Sequence, residues 1–271
     1  MPRTTRTTRT TKPTKSTTKP ASAYNFFAVI SDIHANIDAL DAVMEDIGDF
    51  PVRGIFCLGD IVGYGPEPGA CVRRVIESCS ASVLGNHEAM LLLVDKILEE
   101  DWEASVGQPL KLAKAQVSQK DLGWLKDLPI TVDLEPITLS HASLNEPPEF
   151  NYIYETTEAE AHFAAQTTFI SFNGHTHVPG ILEENPETFG VRSLKPTDQP
   201  NRLNPSKRYM VNVGSVGQPR DGDVRASYAL YDYEQHILLM RRVEYDIKKA
   251  QARFKKAGLP AHNASRLAKG E

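Results

Sequence analysis

Two aspartates, an asparagine and five histidines of this chain fall in short turns, most of them containing glycine, that each follow an apolar run. They are Asp32 and His34 in SDIHAN, Asp60 in CLGDIVGYG, Asn86 and His87 in VLGNHE, His141 in SHAS, and His175 and His177 in NGHTH. His175 and His177 project to the same side of an extended strand end, so taken alone they could serve one metal ion, two neighbouring ions or none. The larger set says more. Carboxylates, a carboxamide and several imidazoles gathered at one sheet edge without a cation would be crowded and costly polar groups. A metal removes that cost. No cysteine takes part, which favours hard or borderline divalent ions over a structural zinc site. Seven candidate ligands, Asp32, His34, Asp60, Asn86, His141, His175 and His177, are too many for one tetrahedral ion. Two ions sharing a carboxylate fit better, and a pair about 3.5–4 Å apart is the usual arrangement for hydrolysing phosphate esters. His162, His236 and His262 lack such company and read as ordinary packed or solvated residues.

The elements that must position these groups can be read from periodicity. NFFAVIS has strand length, and the helix after it places Ile37, Leu40, Val43, Met44 and Ile47 on one face. GIFCL is a second strand, followed by a helix carrying Val72, Val75, Ile76 and Cys79, and ASVL is a third. This βαβαβ pattern predicts a buried parallel sheet, whose ligands collect outside the carboxyl ends of the strands. Residues 88–128 read as a helical excursion over the sheet, broken near Gly107-Gln108-Pro109 and restarted at Ser118-x-x-Asp121. Strands return at ITVDL, ITLS, FISFN, YMVNV, ASYALYD and HILLMRRVE, and a last helix, DIKKAQARFKKAG, stops at Gly258 before Pro260. Residues 183–206, rich in Pro, Asn and Glu, read as a surface loop.

Composition bounds the class. A chain of 271 residues with 41% hydrophobic content is expected to hold one sizeable α/β domain over residues 24–271. No apolar run of membrane-spanning length or secretory h-region occurs, so no membrane partner is expected. Cys57, Cys71 and Cys79 have no CxxC spacing and predict reduced thiols in a cytoplasmic protein. The first 23 residues, rich in Thr, Pro, Lys and Arg, hold six basic side chains and no acid, and predict a disordered basic tail. What remains is acidic, so nucleic acid is expected to bind only weakly, through that tail.

The ordered series SDIHAN, CLGDIVGYGPEP, VLGNHE, SHAS and NGHTH resembles the calcineurin-like metallophosphoesterase superfamily. The continuation VNVGSVGQPRDGDVRASYALYD resembles its small stand-alone prokaryotic metallophosphatase and phosphodiesterase branch. The resemblance implies a four-layer α-β-β-α sandwich of two mixed sheets flanked by helices. It implies Asp32, His34, Asp60 and His177 on one ion, and Asp60 as bridge with Asn86, His141 and His175 on the other. His87 is then free of metal, beside the substrate. Two departures stand out: Ala35 replaces a usual glycine, and Gly63-Tyr64 replace the Asp-Arg of the protein phosphatases and of symmetrical diadenosine tetraphosphatase. Arg220 in GQPRDG is a candidate replacement charge, and equally a turn residue.

The expected chemistry is hydrolysis of a phosphoester by a hydroxide shared between two divalent ions, attacking phosphorus in line with no covalent phosphoenzyme. Mn²⁺ is the first choice, with Ni²⁺, Fe²⁺, Zn²⁺ or Mg²⁺ as alternatives. His87 would protonate the leaving oxygen, oriented by Glu88; its bland reading is support for Asn86. Small phosphodiesters are the expected substrates, because a singly charged ester needs fewer cations than a dianionic monoester. The alternatives are a phosphomonoesterase, a dinucleoside polyphosphate hydrolase, and a catalytically inactive binding scaffold.

Overall fold

The computed structural model of the chain describes residues 25–94 and 104–271. The tail expected over residues 1–23 and part of the helical excursion lie outside the described residues. β1 (Phe26–Ile30), α1 (Ile37–Gly48), β2 (Val52–Cys57), α2 (Pro68–Ser78) and β3 (Ala81–Ser82) make the expected βαβαβ run, with β1–β2 and β2–β3 parallel. In α1 the apolar positions Ala39, Leu40, Val43 and Ile47 are buried, and the Asn36 side chain caps the first turn by accepting from the Ala39 amide at 3.3 Å. α3 (Asn86–Leu92), α4 (Ala104–Gln116) and α5 (Gln119–Lys126) follow, the last capped by Ser118 as its sequence predicts.

The second half supplies β4 (Thr131–Leu134), β5 (Ile137–Ser140), α6 (Thr156–Ala165), β6 (Ile170–Asn173), β7 (Gly180–Glu184), β8 (Val191–Leu194), β9 (Asn201–Arg202) and β10 (Arg208–Asn212). It closes with β11 (Ala226–Asp232), β12 (Ile237–Val243), α7 (Ile247–Lys256) and α8 (Ala261–Leu267). The strands form two six-stranded mixed sheets, ordered β3-β2-β1-β11-β12-β9 and β4-β5-β6-β10-β7-β8. Strand alternation divides the core. Ala28, Ile30, Tyr228 and Leu230 face a layer containing α1, α2, α4 and α5, while Val29, Ala229 and Tyr231 meet Leu139, Phe172 and Val211 of the other sheet. The outer face of that second sheet packs Met210 against Ala159 and Phe163 of α6. The result is the expected four-layer α-β-β-α sandwich. No described helix is long and apolar enough to cross a membrane.

Two expectations need correction. The helix does not break at Gly107-Gln108-Pro109: α4 runs through it with Pro109 inside. Proline there removes the amide that would bond the Ser105 carbonyl, and the Asn263 side chain from α8 donates to that carbonyl instead, at 2.9 Å. Residues 183–206 are not one surface loop either, since they contain the end of β7 with β8 and β9. Their charges mislead because they pair across strands. Arg192 Nε donates to Glu183 at 2.8 Å and Arg208 Nε to Glu184 at 2.7 Å, burying both carboxylates within the sheet.

Candidate metal centre

Five strand ends deliver the candidate ligands, from parallel β1, β2 and β3 of one sheet and parallel β5 and β6 of the other. β1 leads into Asp32 and His34, β2 into Asp60, β3 into Asn86 and His87, β5 into His141, and β6 into His175 and His177. Asp32, His34, Asp60, His175 and His177 all have φ between 48° and 67°, in the left-handed region. Each such residue costs about 1–3 kcal/mol, a strain that persists only where surrounding structure over-determines it. Here the determinants are explicit. The amides of Asp32, His34 and Ala35 bond the carbonyls of Gly59, Asp60 and Ile61 at 3.1, 2.9 and 2.8 Å, locking the first two loops together. The VNVGSVGQP segment fixes the same turn from the other side: the Ser215 hydroxyl donates to the Asp32 carbonyl at 2.7 Å. Gly63, at φ 88°, lies so close to His87 that a Cβ would fall on the imidazole, so the glycine of GYG is needed for this approach.

Three imidazoles are oriented by backbone carbonyls. Nδ1 of His34, His141 and His177 donates to Val62 O, Leu58 O and Gln218 O at 3.1, 2.8 and 2.6 Å, which assigns the proton to Nδ1 and leaves the Nε2 lone pair facing inward. Acceptors therefore confront acceptors where His34 Nε2 lies 3.0 Å from His177 Nε2 and His141 Nε2 lies 3.0 Å from Asn86 Oδ1, and His175 Nδ1 stands 3.1 Å from the same His141 nitrogen. Asp32 Oδ1, buried 3.2 Å from His177 Nε2, has no hydrogen-bond partner. Asp60 lies between the two halves: Oδ1 accepts from the His87 amide at 2.9 Å, and Oδ2 is 3.7 Å from His34 Nε2 and 3.4 Å from His141 Nε2. Facing lone pairs beside the orphaned Asp32 oxygen and the Asp60 carboxylate are a donor set that divalent cations fit. Asp32, His34 and His177 form one group of metal-binding capability, and Asp60, His141 and His175 another.

The electrostatics agree. Burial disfavours the charge on Asp60, but His141 and His87 overcome it and hold the carboxyl well below its usual range. Burial pulls down His34, and, with His141 beside it, His175 to about 4. His141 goes the other way: burial lowers it, yet the Asp60 carboxylate raises it to about 9, so without a cation a second proton on Nε2 fills the place beside Asp60 that a metal ion would take, and metal binding displaces it.

All eight strand-end residues singled out from the sequence come together. His87 is edge-on to His34 at 4.9 Å between ring centroids, within ligand range of His34 and Asp60, and its Nδ1 is buried without a partner. Glu88, expected to orient His87, instead accepts from the amides of Asp60, Val62 and Gly85 at 2.7, 3.0 and 3.1 Å, so both its oxygens are committed to the Asp60 loop. Burial raises its pKa to about 7. Tyr64 lies 4.7 Å from the His34 ring and 4.6 Å from His87, and the Arg220 guanidinium stands 5.7 Å over Tyr64. Arg220 Nη2 donates to Gln218 Oε1 at 3.0 Å, while its Nε is buried with no partner. Sequence reasoning missed Phe150, which borders His141, and Tyr152, which borders His175 and has Tyr154 stacked on its other side. The available signal was the Tyr-x-Tyr spacing in the loop after His141.

Such a cluster at the edge of two packed sheets marks an α/β protein with a candidate metal centre, and its class, a metal-dependent phosphoesterase, is shown by its family. Residues 26–236 match the model of the calcineurin-like phosphoesterase superfamily domain, and the chain belongs to that family. It is 34% identical over 248 residues to an uncharacterized protein of Methanocaldococcus jannaschii, covering 90% of this chain and 97% of that one. The crystal structure of a metallophosphoesterase from Sphaerobacter thermophilus superposes with a TM-score of 0.79 at 37% identity, covering 91% of this chain and 99% of that one. A hypothetical protein from Pyrococcus horikoshii shares the fold, with a TM-score of 0.72 at 20% identity over 91% of this chain and 99% of that one.

Proposed function

We propose that this phosphoesterase hydrolyses small phosphodiesters at a centre of two divalent cations, Mn²⁺ by preference. Asp32, His34, Asp60 and His177 would hold one cation, and Asp60, Asn86, His141 and His175 the other. The observation carrying this reading is the set of inward lone pairs on His34, His141 and His177, each with its Nδ1 proton committed to a backbone carbonyl. When bound, such cations lower the pKa of water and neutralise phosphoryl oxygens. The chain's own residues do the rest. Buried His87 has its pKa lowered and is neutral in the free site. An arriving phosphoester anion favours its protonation, so it can give a proton to the leaving oxygen. Asn86 and the Arg220 guanidinium would contact non-bridging oxygens, Arg220 taking the part of the family's missing motif arginine; its buried, unpartnered Nε supports that role.

The diester preference follows from charge and lining. A diester carries one negative charge and a second substituent; the rim offers that substituent the rings of Tyr64, Phe150 and Tyr152, with Arg220 beside Tyr64. We expect bis-aryl phosphodiesters to be cleaved with higher kcat/KM than aryl monoesters at one Mn²⁺ concentration. A monoester preference of about tenfold, ~1.4 kcal/mol in transition-state binding, would replace this reading with the phosphomonoesterase one.

A further inference from the structure

The loop from β5 to α6 carries His141 at its start and then a run of aromatic residues. It is pinned at two points: the Ser143 amide donates to Asn151 O at 3.2 Å, and the Leu144 amide to His162 Nδ1 at 3.1 Å. Phe150, held at φ 51°, turns its ring edge toward His141 at 5.8 Å. Ile153 then points inward, buried with Ala159, Phe163 and Met210. Its neighbours Tyr152 and Tyr154 face the opposite way, with 46% and 63% of their surfaces exposed.

These two tyrosines are stacked on one another, with ring centroids 5.3 Å apart and an interplanar angle of 11°. Tyr152 also stacks on His175, at 3.9 Å and 24°. The rings thus form a column that begins on a candidate ligand and ends in solvent. Shielding His175 would explain the inner ring. It does not explain the outer one, which covers no ligand and keeps most of its surface in water. An open aromatic face beside a site for esters is what stacks a flat substituent, and such stacking tolerates any ring because every ring has a π-face.

We propose that the Tyr152–Tyr154 column is a stacking subsite for an aromatic substituent of the phosphoester, either a nucleobase or a simple aryl ring. This inference rests on the phosphodiesterase reading above. His175 turns Nδ1 toward His141 and its ring face toward Tyr152, so the column leads outward from the candidate centre, and a substituent of the phosphorus extending along it would meet Tyr154, the ring with an open face. Tyr152 and Tyr154 are therefore specificity-determining residues: they sort substrates by what the phosphorus carries and take no part in proton transfer.

The test holds the leaving group constant. Three p-nitrophenyl phosphodiesters are compared in which the retained group is methyl, phenyl or thymidine, each kcat/KM being divided by the rate of the same ester with hydroxide in solution. The expected result is a preference of about tenfold, ~1.4 kcal/mol, for a ring-bearing ester over the methyl ester. Tyr154→Ala should bring that ratio close to one, and Tyr154→Phe should keep it. Phenyl against thymidine separates the simple aryl ring from the nucleobase. A ratio near one in the unaltered protein, or a ratio that survives Tyr154→Ala, overturns the subsite while leaving phosphodiester hydrolysis intact. If none of the three esters is hydrolysed, the phosphodiesterase reading fails on its own, and calorimetry with Mn²⁺ present still decides the subsite. Adenosine monophosphate must then bind about tenfold more tightly than ribose phosphate, and lose that advantage in Tyr154→Ala; equal affinities overturn it.

Discussion

Glu88→Gln tests whether the centre depends on how its loops are held. Glu88 is fully buried, and its two oxygens take three backbone amides, those of Asp60 and Gly85 on Oε2 and that of Val62 on Oε1. Glutamine keeps the length and one oxygen. If that oxygen stays with Asp60 and Gly85, the new amide meets the Val62 N–H donor to donor. The loss is a charge-assisted bond of about 1.5–3 kcal/mol and an unsatisfied buried amide of about 1–3 kcal/mol. An opposing term is of similar size. Burial lifts the Glu88 carboxyl from 4.5 to about 7, so carrying its charge already costs on the order of 3 kcal/mol, which glutamine avoids. The two terms largely cancel, leaving a global loss of ~2 kcal/mol or less.

The local effect does not cancel. Val62 supplies the carbonyl that orients His34, and the Asp60 amide fixes the carboxylate between the two groups of imidazoles. Partners of this kind change metal affinity by about 10–100-fold. We therefore expect Glu88→Gln to remain folded by urea denaturation and to bind Mn²⁺ about 10–100-fold more weakly, read by calorimetric titration of chelator-treated protein. An affinity within twofold of the unaltered protein would refute the reasoning, as would a loss matched by the fraction of unfolded chain.

Two further predictions separate roles and titrations. Asp60→Asn should lower both metal content and turnover, whereas His87→Ala should lower turnover by about two orders of magnitude or more with both metals retained; metal analysis beside kinetics reads this, and loss of a metal from His87→Ala would make His87 a ligand. His162 is buried, accepts from the Leu144 amide, and burial lowers its pKa to about 3. The unfolded chain takes up a proton below about pH 6.5 while the fold does not, so the stability present above that value falls by ~1.4 kcal/mol per pH unit as pH drops toward 3. His162→Gln should remove that contribution from the pH dependence of urea unfolding, and an unchanged pH dependence would contradict it.

What the sequence made legible was local. The apolar runs and the polar turns after them are short-range patterns, and parallel pairing within each of the two sheets carries such turns to one end, so the eight strand-end residues are legible from sequence alone. Glu183 and Glu184 were misread because a carboxylate gives no sign in sequence that an arginine lies opposite it across a strand. The continuity of α4 through Pro109 was hidden for the same reason: its compensating donor, Asn263, is far away in the chain. Glu88 was read as a partner of its neighbour His87, whereas its bonds go to Asp60 and Val62 on another strand end. Tyr152 and Tyr154 drew no notice, since two tyrosines in a loop acquire meaning only when His175 arrives beneath them from a separate strand.

We propose that Asp32, His34, Asp60, Asn86, His141, His175 and His177 form a two-cation centre on which hydrolysis depends. The direct measurement is to strip the purified protein with excess EDTA, dialyse the chelator away, and titrate Mn²⁺ back while following hydrolysis of bis(p-nitrophenyl) phosphate and the metal bound per chain. Activity should vanish on stripping and return as bound Mn²⁺ approaches about two per chain, the stoichiometry of a shared-carboxylate site. Full hydrolysis in the presence of excess EDTA, or activity recovered with no metal bound, would contradict the account.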